Sequence, residues 1–184
     1  GLEPDVLLGH SIGELVAAHV AGVLSLDDAA PLVCARGRLM DELATGGGAM
    51  VSLQASEQEV QAAIDALENE EDLTVSLAAF NTPTQTVISG DEVLVNTIAS
   101  SFEAKKRKTT RLTVSHAFHS AHMDNMLESF RTVAEGLTYN EPNLPIISNV
   151  TGKLASVDDG DLCTANYWAT HLRQAVRFVD GVQA

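Results

Sequence analysis

The sequence is short of three things, and each shortage closes off a class of function. It has only two cysteines in 184 residues, Cys34 and Cys163, with no CxxC pair. That is too little for a disulfide framework, and the expectation is a reducing cytosol. It has no apolar run near the ~20 residues needed to span a bilayer, so no membrane segment is expected. Nor does it show a basic stretch leading into an apolar one, the mark of a secretory leader. Basic residues are the third shortage, 11 against 25 acidic ones, for a formal charge of −14. Such a field repels phosphate at long range and argues against nucleic acid as a partner.

The basic residues that exist are bunched. Lys105, Lys106, Arg107, Lys108 and Arg111 hold five of the 11 within seven positions. A run of this kind reads either as a solvated helix end, where lysines complement the C-terminal dipole, or as a docking patch for an anionic partner. Apolar residues make up 45% of the chain, enough for one domain with a sizeable core or for two small lobes.

The apolar pattern places the elements. Val6 to Leu8 reads as a short strand running into Gly9-His10-Ser11-Ile12-Gly13 and then a helix to about Ala21. Ser25 with Asp28 suggests a capping box for a second helix, with Leu32, Val33, Leu39, Met40 and Leu43 as its apolar stripe. Pro31 should bend or delay its first turn, and Gly46-Gly47-Gly48 should end it. Next come a strand (Met50 to Leu53), a helix (Glu57 to Leu67) and two strands (Leu73 to Phe80, Gln85 to Ser89) joined through Asn81-Thr82-Pro83-Thr84. A helix from Asp91 to about Lys105 and a strand from Thr109 to Val114 complete a βαββαβ order, that of the split ferredoxin-like unit. A helix from His122 to about Leu137, a strand from Pro145 to Val150 and a last helix with Tyr167, Trp168 and Leu172 follow. The expected fold class is therefore α/β, with residues 49–114 forming a small lobe inserted into a larger one made of 1–48 and 115–184. Two strands are too few for a covered parallel sheet, so part of the larger lobe is expected outside this sequence.

Three sets of residues carry chemistry. Gly9-His10-Ser11-Ile12-Gly13 fits the G-x-S-x-G elbow in its required context, a strand entering a helix. The turn calls for small residues two positions either side of Ser11. It would present the serine Oγ at a helix N-terminus, with the Ile12 N–H facing a developing oxyanion. A serine needs a base, and His116, His119 and His122 cluster after the small lobe. Their His-x2-His-x2-His spacing also admits a metal, although ligands on a helix fall at i and i+4 and no HExxH pattern is present. Arg36 falls on the apolar stripe, where a guanidinium needs an anion: either an internal carboxylate or the carboxylate of a substrate.

Gly9-His10-Ser11-Ile12-Gly13-Glu14, His116-Ala117-Phe118-His119-Ser120 and Tyr167-Trp168 with Val176-Arg177-Phe178 together resemble the acyltransferase domains of polyketide synthases. They are also similar to the malonyl-CoA:acyl carrier protein transacylase of fatty acid synthesis. Asn81-Thr82-Pro83, Val87-Ile88-Ser89-Gly90 and Ser148-Asn149-Val150-Thr151-Gly152 match in register, so the resemblance covers the whole chain. It implies an α/β-hydrolase-like larger lobe around the inserted ferredoxin-like one. By residue it implies Ser11 as nucleophile, His119 as general base and Arg36 as the grip on the malonyl carboxylate. His10, Asn81, His116 and Phe118 would then contact the substrate, and a main-chain carbonyl near His171 would orient the base. His116-Ala117-Phe118-His119 is similar to the tetrapeptide of malonyl-selective members. No bound cofactor or metal is implied. Malonyl-CoA is the implied substrate and an acyl carrier protein the partner, in a larger synthase. The family's second oxyanion donor, a glutamine in an N-terminal Gly-Gln-Gly segment, is missing from this chain, so an incomplete domain is expected. A thioesterase-type serine hydrolase and a carrier-docking module without catalysis are the competing readings.

Overall fold

A computed structural model describes residues 3–43, 48–67 and 74–184 of the chain. Gly46 and Gly47 of the expected boundary and Leu73 of the expected strand lie outside these residues. The fold is α/β, and among the described residues it has two large hydrophobic cores and a smaller apolar cluster on one face of the sheet.

Four strands, β1 (Gly48–Leu53), β2 (Val75–Thr82), β3 (Gln85–Asp91) and β4 (Thr109–Arg111), form one antiparallel sheet in the order β2-β3-β1-β4. Two helices, α3 (Glu57–Asp65) and α4 (Glu92–Ala104), cover one face of it. Strand alternation decides which side chains lie where. Val51, Leu53 and Ile88 join Val60, Ile64, Val95, Ile98 and Phe102 beneath the helices, while Met50 and Val87 emerge on the opposite face. Ser56 caps α3 in a reciprocal box with Glu59. β4 is shorter than the expected strand, ending at Arg111.

The second core draws on chain segments from both sides of this sheet. It packs α1 (Ile12–Val20), α2 (Leu26–Leu43), α5 (Asp124–Glu135) and α6 (Ala165–Arg173) through Leu15, Leu32, Leu39, Met126, Phe130 and Trp168. A short helix, α7 (Phe178–Gln183), follows. Ser25 accepts from the Asp28 N–H at 3.1 Å, as a cap should. Pro31 sits inside α2 without delaying its start, so of the two expected effects the delay does not occur. The strands expected at Val6–Leu8 and Pro145–Val150 shrink to isolated bridges, a parallel one of Leu7 with Ile146 and an antiparallel one of Ile147 with Leu154. Two flanking bonds hold the first, Leu7 N to Pro145 O at 2.8 Å and Ile147 N to Leu7 O at 2.9 Å. Two more hold the second, Ser148 N to Lys153 O and Ala155 N to Ile146 O, both at 2.8 Å.

Candidate active site

The bridge at Leu7 feeds the chain into Ser11, whose backbone has φ 51° and ψ −117°. Few non-glycine residues occupy such a conformation, and they concentrate at functional sites. The turn needs Gly9 absolutely: a Cβ there would overlap the backbone of Gly13 and Glu14. Gly13 behaves differently from expectation. A Cβ on it would meet no atom within 4 Å, because its own Cα points outward while the crowding comes from the Gly9 side.

His119 approaches Ser11 from the loop after β4, its Nε2 2.8 Å from Ser11 Oγ. Its Nδ1 lies 2.8 Å from the Gln174 carbonyl oxygen. A carbonyl can only accept, so Nδ1 carries the proton and Nε2 is the free acceptor facing the serine. The orienting carbonyl thus belongs to Gln174, not His171. The carbonyl of His171 lies within α6, whereas Gln174 is the C-cap in extended conformation, so its carbonyl turns out of the helix. His119 is 4% exposed, and burial, with His171 and Arg36 nearby, pushes its pKa down to about 3. The imidazole is therefore neutral, as a base must be.

Arg36 reaches the same serine, its guanidinium donating to Ser11 Oγ at 3.0 Å. It is buried, and among the described residues it forms no ion pair with a protein carboxylate. Desolvation lowers its pKa to about 10, which leaves it charged at neutral pH. The internal-carboxylate reading of Arg36 finds no support in this geometry.

A cleft of about 360 Å³ opens over these groups. Ser11, Arg36, His119, His10 and Asn81 form its polar end. Met40 and Phe118 with Met50, Ala78, Val87 and Leu112 of the sheet face form the apolar remainder. His10 and Asn81 meet at 2.9 Å on its rim. Ile12 also lines it, at the N-terminus of α1. His116 does not line the cleft. Its Nδ1 sits 3.0 Å from Ser115 Oγ and its ring 6.1 Å from that of Phe118, so it touches the pocket only through Phe118. The histidine trio diverges, since His122 Nε2 lies 3.3 Å from Asp91 Oδ1. Among the described residues, no group of three His, Cys, Asp or Glu could hold a metal. A polar groove of about 410 Å³ continues from the cleft across the sheet, sharing Asn81, Val87 and Leu112 and adding Ser52, Gln85 and Lys108.

Beneath Ser11 lies a set of residues whose roles the sequence did not disclose. Asn149 accepts from the Ser11 N–H at 2.7 Å and donates to the Gly9 carbonyl at 2.6 Å, so one side chain staples the elbow from both sides. Its own N–H donates to Glu14 Oε2 at 2.8 Å. Glu14 is wholly buried. It also contacts the Tyr167 hydroxyl, and His171 Nε2 lies 3.4 Å away. Burial beside Glu14 drives the Tyr167 pKa far up, which keeps it a hydrogen-bond donor. For Glu14 a signal was available: it shares a helical face with Ala17, Ala18 and Ala21.

Comparison with known proteins gives the family. The family model described as acyl transferase domain matches residues 1–184. The polyketide synthase GfsA of Streptomyces halstedii is 51% identical over 183 residues, covering 100% of this chain and 2% of that protein. The mycoketide-CoA synthase of Mycobacterium tuberculosis is 51% identical over the same length, 4% of its own. The acyltransferase domain from the second module of the salinomycin polyketide synthase superposes with a TM-score of 0.90 at 51% identity, all of this chain covering 41% of that one. FabD from Acinetobacter baumannii does so with a TM-score of 0.90 at 30% identity, covering 58% of that chain. The chain thus spans a small part of its curated relatives and under two thirds of these solved domains.

Proposed function

The chain belongs to the acyl transferase domain family, and from that premise we propose that it moves a malonyl unit from malonyl-CoA to an acyl carrier protein through an ester on Ser11. The observation that carries this reading is the convergence on Ser11 Oγ of His119 Nε2, at 2.8 Å, and the buried guanidinium of Arg36, at 3.0 Å. His119 Nε2 takes the serine proton as Oγ attacks the thioester carbonyl, and returns it to the departing coenzyme A thiolate. The Ile12 N–H faces the oxyanion. Once Oγ is an ester oxygen it accepts poorly, and Arg36 is released to pair with the free malonyl carboxylate. The thiol of the carrier's phosphopantetheine then attacks the ester, giving its proton to His119, which passes it to Ser11 Oγ as the acyl–oxygen bond breaks and the acylated carrier leaves. The polar groove on the sheet supplies a path for the pantetheine arm, and the apolar cleft walls limit water, whose entry would turn transfer into hydrolysis.

The same reading makes the sheet with α3 and α4 a ferredoxin-like lobe inserted in a hydrolase-like one, with limits 1–48, 49–114 and 115–184, in a cytoplasmic multidomain synthase. The hydrolase alternative gains nothing from the site, since a main-chain carbonyl occupies the place of a triad carboxylate. Incubation with malonyl-CoA followed by peptide mass spectrometry tests the proposal. The malonyl adduct should sit on Ser11, leave when carrier protein is added, and be missing from Ser11→Ala. An adduct on another residue of Ser11→Ala would sink the assignment.

A further inference from the structure

Five consecutive residues, Gln174 to Phe178, touch every part of the site without lining it. Gln174 offers its carbonyl to His119 Nδ1. Val176 joins the edge of the sheet as a parallel bridge to Ala79, accepting from Phe80 N at 2.8 Å and donating to Ala78 O at 2.9 Å. The Arg177 N–H donates at 2.9 Å to the carbonyl of Asn149, the residue that staples Ser11. The Phe178 ring lies 5.2 Å from that of His10. One strap therefore fixes the base, the elbow and the sheet relative to one another.

Beside the main-chain bonds of Val176, the side chain of Arg177 adds a second fastening of this strap to the sheet side. Its guanidinium lies 4.8 Å over the ring of Phe80 in β2, and its NH2 approaches Glu57 at the start of α3 at 3.4 Å. Nε pairs with Asp180 at 2.6 Å, which holds the fork in that orientation. Exposed ion pairs of this kind contribute little to global stability. Their geometry, though, sets the distance between β2 and the segment that carries Gln174 and the Arg177 N–H. We infer that Arg177 is a positioning residue: it acts through the strap to hold His119 and Ser11 in reacting register, without touching substrate. A displacement of about 1 Å at a reacting pair costs on the order of 10²-fold in rate, so a weak contact here has a large kinetic lever.

The inference rests on the Ser11–His119 dyad but not on malonyl as its cargo, so the test uses a probe indifferent to the acyl group. Labelling of Ser11 by a fluorophosphonate is timed by peptide mass spectrometry in the full-length protein. Arg177→Ala should lower the labelling rate tenfold or more while Tm moves by only a few degrees. Arg177→Lys keeps a cation over Phe80 and should recover a large part of the rate. Glu57→Gln, a milder change outside the strap, should lower it about threefold and serves if Arg177→Ala fails to fold. Arg173→Ala, which removes a solvent-facing pair with Asp124 on the neighbouring helix end, should leave the rate unchanged. With malonyl-CoA the loss should fall on kcat, with KM little altered. Equal labelling in wild type, Arg177→Ala and Glu57→Gln overturns the inference. So does a lysine variant no better than alanine, or a loss shared by Arg173→Ala. A wild type that the probe never labels at Ser11 overturns the dyad and this inference together, whereas a labelled wild type that ignores malonyl-CoA overturns only the choice of cargo.

Discussion

The two walls that meet at Ser11 are made of opposite materials. Below the serine the packing is polar: Glu14, Asn149, Tyr167 and Ser148 are buried and joined by directed bonds, and buried His171 packs against Glu14 at 3.4 Å. Facing it across the cleft are Met50, Ala78, Val87, Leu112 and Phe118, which offer shape and no bonds. The difference teaches a division of labour. Directed bonds fix where the reacting atoms sit, since a hydrogen bond tolerates little error in angle. Apolar contact decides what fits and keeps water out, and tolerates repacking.

The sharpest way to break the contrast is to remove charge from the lower wall. Glu14→Ala leaves Tyr167, His171 and the Asn149 N–H facing a hole. A buried donor left without its acceptor costs about 1–3 kcal/mol, and two are stranded here, which urea denaturation would read directly. Glu14→Gln, which keeps the volume and one acceptor, should lose distinctly less. Equal losses in both would mean that Glu14 acts by bulk, and the polar wall would be no different in kind from the apolar one.

Arg36 lies between the walls. Arg36→Ala should remove a charged hydrogen bond worth about 1.5–3 kcal/mol, collapsing the preference for malonyl- over acetyl-CoA by tenfold or more in single-turnover acylation. Loss of both donors alike would move Arg36 to the scaffold. On the apolar wall the effects should be graded. Phe118→Ser, with or without His116→Tyr, should admit methylmalonyl-CoA. A single methyl is discriminated by about 1–3 kcal/mol, or 10–200-fold, and a competition assay scored by acyl-enzyme mass measures it. Because His116 reaches the cleft only through Phe118, Phe118→Ser alone should carry most of the change.

The elbow sharpens the comparison on a smaller scale. Gly13→Ala should be accepted, with a helix gain of about 0.5–1 kcal/mol over glycine, while Gly9→Ala should leave no labelled serine at all. The smallest effect concerns pH. The folded pKa of His119, about 3, is below its ordinary 6.5. His119 therefore stays neutral as the medium is acidified to pH 5, and acylation between pH 5 and 7 should change less than about twofold. Stability follows the same sign. Below 6.5 the unfolded chain takes up a proton that the folded one refuses until about 3, so this group's contribution is lost as pH falls through that window. An acid limb centred near 6.5 would show His119 to be solvated.

The residues legible in the sequence were those whose chemistry lies in a side chain set by a local pattern. Ser11 stands in a five-residue motif, Arg36 on an apolar stripe, His119 and Phe118 within one tetrapeptide. The order of elements around the sheet was legible too, because each strand alternates and each helix repeats within its own span. What stayed hidden acts through the main chain or at a distance. Any residue has the carbonyl that Gln174 lends to His119, so its identity carries no signal, and His171 was the nearer guess by position alone. Asn149 staples an elbow 138 residues away. Val6–Leu8 and Pro145–Val150 each read as a strand, but nothing in either names the other as its partner. Glu14 was masked by its place in the first turn of a helix, where an acid ordinarily complements the dipole and stays in water.

The span between Ser11 and its supports also sets a clock. The serine leaves the ribosome among the first residues of this stretch, but the staple at Asn149 and the strap at Gln174 to Phe178 come 138 positions or more later. At about 5–20 residues per second, roughly 7–33 s of synthesis separates Ser11 from the groups that staple it and orient His119. The sheet of residues 48–111 has all its own partners in hand well before then. Nascent chains of this stretch, arrested once residue 120 has cleared the ribosome, should thus carry a folded sheet and a Ser11 that a fluorophosphonate does not label.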